Sequence, residues 1–115
     1  MPAKKAESIK VQKQSPTDDG WQFVVWVGEI PDSGEERKNI TEHLVTLDTD
    51  YWKKLTRGVG APADLIKKSF KFLLKREPKE SILKTFDLRV IKKYFPEYER
   101  EITPAEPYLE ARAKK

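Results

Sequence analysis

The spacing of apolar residues along this chain changes near residue 48. Before that point apolar and polar positions alternate, and after it they recur every three or four residues. Residues 8–14 alternate, with Ile9 and Val11 on one face of a predicted strand. Residues 21–28 form the strongest strand pattern. Trp21, Phe23, Val25 and Val27 share one face, and Gln22, Val24 and Trp26 share the other. Apolar residues on both faces predict a central strand. Residues 39–47 read as a third strand, with His43, Val45 and Leu47 alternating against Leu44 and Thr46. Between the first two strands, Pro16, Asp19 and Gly20 supply turn chemistry. Residues 31–36 read as a loop. Short connections favour an antiparallel meander.

From residue 48 onward the period is helical. Asp48, Thr49 and Asp50 offer an N-cap and first-turn acids, and Tyr51, Trp52 and Leu55 form an apolar face. Gly58 and Gly60 end this short helix. Pro62 suits the first position of the next one, although Ala61 before it is a poor cap. The spacing predicts a core helix over residues 62–76, with Leu65, Ile66, Ser69, Phe70, Phe72, Leu73 and Leu74 turned inward. Pro78 breaks it and opens a short turn over residues 79–83. Asp87 is placed to cap a last helix carrying Leu88, Ile91, Tyr94 and Phe95, which Pro96 ends. Tyr98 and Ile102 are expected to fold back on the core.

The predicted fold class is α+β: a three-stranded antiparallel meander followed by three helical segments packed on one face. The core is expected at Trp21, Phe23, Val25, Val27, Val45, Leu47, Leu55, Leu65, Ile66, Phe70, Leu73, Leu74, Leu88, Ile91 and Phe95. Residues 8–102 are assigned to a single domain, with a disordered tail at 1–7 and a mostly flexible tail at 103–115. The 115-residue length agrees with one domain.

Composition narrows the chemistry. The absence of cysteine excludes disulfides, Fe–S clusters and Cys-ligated zinc, and a single histidine excludes multi-histidine metal sites. His43 lies among strand residues and reads as a half-buried or edge side chain. The acid pairs Asp18-Asp19 and Glu35-Glu36 fall in predicted turns, and Asp48 and Asp50 cap a helix. Gly58-Val59-Gly60 lacks the Gly-Lys-Ser/Thr of a phosphate loop. No nucleophile–base pair is visible. The expectation is a non-enzymatic protein with no catalytic residue, no metal and no cofactor. The polar N-terminus and the lack of a long apolar run predict no signal peptide and no membrane association, and a cytoplasmic location.

The net charge of +4 conceals a strong asymmetry. Residues 16–50 carry nine acids against Arg37 and Lys38, a net −7. Residues 51–100 carry fourteen bases against six acids, a net +8. Lys67, Lys71 and Lys75 recur along one helix face with Lys68 beside them, and Lys92 and Lys93 follow. These six lysines form the candidate partner or polyanion surface. Trp26, opposite Trp21 and Phe23, is the candidate interaction aromatic. The leading expectation is a binding or interaction module with a protein partner, or a homodimer formed through the sheet.

The alternative is nucleic-acid binding. Residues 44–47, the short helix, the Gly turn and the lysine-striped helix look like half of a ribbon-helix-helix protein, in which Glu42, Leu44 and Thr46 would face the DNA. Leu44 and Glu42 do not suit that role. The basic helix face offers a second, sequence-independent route to nucleic acid.

Five stretches carry a further resemblance: Tyr51-Trp52-Lys53-Lys54-Leu55-Thr56, the run from Ser69 to Leu83, Phe86-Asp87-Leu88, Tyr94-Phe95-Pro96-Glu97-Tyr98-Glu99, and the Gly20-Trp21-Gln22-Phe23-Val24-Val25 strand. Over residues 15–102 the chain is similar to a group of short uncharacterised bacterial proteins. The resemblance implies a stand-alone bacterial domain and brings no catalytic or binding residue with it.

Overall fold

The computed structural model describes residues 8–29 and 38–103. The strands are β1 (Ser8–Pro16), β2 (Gly20–Glu29), β3 (Lys38–Asp48) and β4 (Thr85–Asp87). The helices are α1 (Thr49–Thr56), α2 (Pro62–Leu74), α3 (Ile91–Tyr94) and α4 (Tyr98–Ile102). Single 3₁₀ turns occupy Lys79–Ser81 and Leu88–Val90. The expected tails at 1–7 and beyond Thr103, and the loop at 31–36, lie outside the described residues.

The antiparallel meander is present as β1-β2-β3, with β2 in the middle. The expected three strands are joined by a fourth. β4 runs parallel to β3, with Leu44, Val45 and Thr46 opposite Thr85, Phe86 and Asp87. Asp87 therefore ends a strand and caps a 3₁₀ turn, its carboxylate accepting from the Arg89 N–H, in place of capping a regular helix. The expected last helix is broken into that turn and the single turn of α3. This matters for Tyr94. A continuous helix would have turned it inward with Leu88 and Ile91, but it is 65% exposed. α1 also ends slightly earlier than the glycines suggest. Arg57 itself adopts the left-handed conformation, and its N–H returns to the Lys53 carbonyl at 2.7 Å.

The core sits on the face of the sheet bearing Phe23, Val25, Val27, Val45 and Leu47, all buried. α1, α2 and the chain after Pro78 contribute Tyr51, Leu55, Leu65, Ile66, Phe70, Leu73, Ile82, Phe86, Leu88 and Ile91 to the same cluster. Trp21, Leu74 and Phe95 are only partly buried against it. Tyr98 and Ile102 do fold back, carried by α4. On the opposite face, the register aligns Lys10, Trp26 and Glu42 in one row and Lys13, Val24, Leu44 and Thr85 in the next. β1 is an edge strand whose register slips between Val11 and Lys13. A bulge and lysines on an edge discourage pairing with another chain.

Gly28 shows why one glycine has to stay. Its φ is +141°, and a Cβ there would run into the Asn39 carbonyl of β3. The β2–β3 register is irregular at this point, between Val27 and Glu29.

Tyr98 anchors α4 to α2. It is fully buried, and its hydroxyl lies 2.6 Å from Ser69 Oγ, which donates to the Leu65 carbonyl at 2.8 Å. Its ring meets Phe72 edge-on at 5.1 Å. Removing the hydroxyl alone in Tyr98→Phe is expected to cost about 1 kcal/mol, the net worth of one internal hydrogen bond. Tyr98→Ala should cost about 3–5 kcal/mol through the cavity it leaves. Urea unfolding monitored by circular dichroism measures both, and equal costs would show that the ring contributes nothing.

Candidate functional site

α2 starts without a side-chain cap. Ala61 is extended and makes no capping bond, and Pro62 occupies the first turn, where its missing N–H is no loss. Asp64 lies in the first turn, on the side the helix dipole favours for an acid. Burial of Leu65, Ile66, Ser69, Phe70, Phe72 and Leu73 fixes the helix's rotation. The remaining arc carries Lys67, Lys68, Lys71 and Lys75, all exposed. None of these four forms an ion pair among the described residues.

Three other cations, Arg76, Lys92 and Lys54, are paired with acids. The Arg76 guanidinium lies 3.6 Å from the centre of the Phe72 ring and reaches Glu97 and Glu101, each at 3.0 Å. Lys92 is half-buried, 3.4 Å from Glu99 and 5.8 Å from the centre of the Tyr51 ring. Lys54 shares Glu99, also at 3.4 Å. Burial would raise the Glu99 carboxyl, but the Tyr51 hydroxyl and these two ammonium groups outweigh it and hold it below the ordinary range. Lys92 therefore does not join the α2 stripe: its charge is spent within an α1–α3–α4 cluster. Lys93 is exposed, on α3 rather than α2.

Two open grooves flank the α2 lysines. One of about 400 Å³ runs along Val59, Ala61, Asp64 and Lys67, and one of about 330 Å³ runs along Lys75, Arg76, Glu101 and Thr103. Lys68, Lys71 and Ile102 line both. The face is thus a lysine ridge flanked by two grooves.

Trp26 lies half-buried on the sheet face opposite the core, its indole N–H 3.3 Å from the Glu42 carboxylate across the β2–β3 pair. The ribbon-helix-helix arrangement does not hold. β3 is paired to β2 on one side and to β4 on the other over Leu44–Thr46, so no edge remains there for a second chain.

His43 is a correction of degree. It is fully buried, not an edge residue. Nδ1 lies 2.7 Å from the Leu83 carbonyl and so carries the proton, and Nε2 lies 2.8 Å from the Thr41 hydroxyl, from which it accepts. Both ring nitrogens are satisfied in the neutral form, which is a structural role. Asp48 likewise serves structure. Its carboxylate accepts from the Asp50 and Tyr51 N–H groups and lies 3.3 Å from Arg89. Asp18 and Asp19 are exposed at the β1–β2 turn, and Glu35 and Glu36 lie outside the described residues. Among the described residues no group of three or more His, Asp or Glu side chains is placed to hold a metal. No helix described is long and apolar enough to cross a membrane.

One feature had no signal in the sequence. An apolar cleft opens between the end of α2, the Lys79–Ser81 turn, β4 and α3. Its walls come from four segments that only the fold brings together.

Compared with known proteins, the chain matches no family model, no curated protein and no solved structure.

Burial lowers the His43 pKa below its ordinary 6.5, outweighing the bond to Leu83 that would raise it. As the pH falls, the unfolded chain takes up the proton first. The stability His43 contributes is therefore complete above 6.5 and is lost as the pH falls toward the depressed folded value. The urea midpoint of the wild-type protein should fall between about pH 7.5 and about pH 5.5, and His43→Gln should lose less over that interval. Parallel pH profiles for the two proteins would rule out His43 as the source.

Proposed function

We propose that this protein is a binding module that performs no chemistry of its own and docks an anionic macromolecule on the exposed face of α2. The observation that carries this reading is the contrast among its cations. Lys67, Lys68 and Lys71 on α2 and Lys75 at its C-cap lie without an ion pair among the described residues, whereas Lys54, Arg76, Arg89 and Lys92 are held by acids. Unpaired lysines one turn apart keep their charge available for a partner. A nucleic-acid backbone would supply phosphates to this ridge, and an acidic protein surface would supply carboxylates.

The test is binding of fluorescein-labelled duplex DNA and of poly-glutamate at low and moderate salt. If three or four lysines meet phosphates, DNA affinity should fall roughly 40- to 150-fold between 50 and 200 mM salt. The charge-reversed variant Lys67→Glu/Lys71→Glu/Lys75→Glu should abolish it, with the fold checked by circular dichroism. Poly-glutamate binding without DNA binding would assign the surface to an acidic protein. No binding of either polymer at the lower salt overturns the reading.

A second reading, a homodimer through the sheet, draws on the face opposite the core. There Val24, Trp26 and Leu44 lie between the β1 residues Lys10 and Lys13 and the acids Glu42 and Asp87. Two such faces related by a twofold axis would bring each basic edge onto an acidic one. Light scattering should then show a dimer that Trp26→Ser dissociates, and a monomer at millimolar concentration removes this reading.

A further inference from the structure

The cleft beyond α2 is a second site, separate from the lysine face. Its floor is apolar, formed by Leu73, Ile82, Phe86 and Ile91, all buried. Its rim carries Leu83 and Tyr94, 45% and 65% exposed, two of the most exposed large apolar side chains described. Its volume is about 200 Å³. Pockets for drug-sized ligands run from about 300 to 1,000 Å³. A dry apolar cavity of about 150 Å³ is enough for a benzene. The cleft therefore has room for one ring or one branched aliphatic group.

One acidic residue, Glu77, lies among these apolar groups, with Ser81 as a neutral polar neighbour. Glu77 is one of the residues lining the cleft, and its carboxylate has no hydrogen-bond or charge partner among the described residues. Its backbone N–H is already used, donating to the Leu73 carbonyl at 2.9 Å. Burial raises its carboxyl pKa, the mark of a carboxylate that lacks compensation. An anionic ligand would be repelled here, and a purely apolar one would leave that carboxylate uncompensated. A cation next to an apolar group satisfies both.

We propose that this cleft receives one aromatic or branched aliphatic side chain of a partner polypeptide, with an adjacent Lys or Arg of that partner pairing with Glu77. Leu83 and Tyr94 close over the inserted side chain as the apolar rim of an anchor pocket. The opposite charge preferences keep the two sites distinct. The α2 ridge selects acids, and the cleft selects an apolar–basic motif.

The test is a ¹⁵N-HSQC titration of the full chain with the capped dipeptides Ac-Phe-Arg-NH₂, Ac-Phe-Glu-NH₂ and Ac-Ser-Arg-NH₂. Ac-Phe-Arg-NH₂ is expected to move the amides of Ile82, Leu83, Phe86 and Val90 and to leave β1 unmoved. It should bind roughly two- to fivefold more tightly than Ac-Phe-Glu-NH₂, the worth of one partly exposed ion pair. Glu77→Gln should bring those two affinities together without changing the unliganded spectrum beyond its neighbours. No cleft shifts with Ac-Phe-Arg-NH₂ at about 10 mM, weaker than any useful anchor, overturns the proposal. So does equal binding of Ac-Ser-Arg-NH₂, which lacks the ring, or of Ac-Phe-Glu-NH₂, which lacks the cation. Phenol binding as tightly as Ac-Phe-Arg-NH₂ would make this a small-molecule pocket and also overturn it. None of these results depends on whether α2 binds a polyanion.

Discussion

Burial of one face of β2 is the constraint from which the rest of the molecule follows. Phe23, Val25 and Val27 are fully inaccessible, and a strand's two-residue repeat leaves no other way to hide all three together. β1 and β3 on either side supply the pairing that makes such a surface. The surface then needs a lid. α2, the longest helix among the described residues, covers it with a buried arc of six side chains. Once α2 lies there, its rotation is set, and its lysines fall on the arc away from the core.

The second tie is made through His43. It occupies a core position on β3 beside Phe70, with ring centres 5.3 Å apart, and Phe70 in turn meets Phe86 at 6.1 Å. The imidazole holds the Leu83 carbonyl, and the Leu44 N–H holds the Lys84 carbonyl at 2.7 Å. These bonds seat the chain after Pro78 as a fourth strand beside β3. Thr46 adds a bond to the Asp87 carboxylate at 2.8 Å. A buried polar side chain is costly unless every polar atom is matched, and here both ring nitrogens are. The same seating sets Ile82 and Phe86 across from α3 and so creates the apolar cleft.

Charge is divided along similar lines. The basic second half of the chain is not one basic surface. Arg76, Arg89, Lys54 and Lys92 are engaged with Glu97, Glu101, Asp48 and Glu99, and all four lie over aromatic rings, Arg76 over Phe72 and the other three over Tyr51. These contacts join α1 to the C-terminal segments. Part of the surplus is gathered on one face of α2, at Lys67, Lys68 and Lys71. A count of charges along the chain could not separate the two groups, because pairing depends on which acids the fold brings within reach.

The sequence by itself determined the three-strand meander, the limits of α1 and α2 to within a residue or two, the inward set on β2, and the lysine stripe. Each of these depends on a local period or a local cap, and periods survive whatever the rest of the chain does. Trp26 was likewise legible as the residue opposite the core face. The tertiary structure alone decided the fourth strand. Three residues of β4 carry no readable alternation, and their pairing with β3 spans about forty positions. It also decided that the segment after Asp87 breaks into a 3₁₀ turn and one helical turn, which leaves Tyr94 outside. Full burial of His43, the withdrawal of Lys92 to Glu99, and the cleft beside Glu77 were settled there too. In each case the partners are distant in sequence, and no pattern in one segment records what another segment will bring to it.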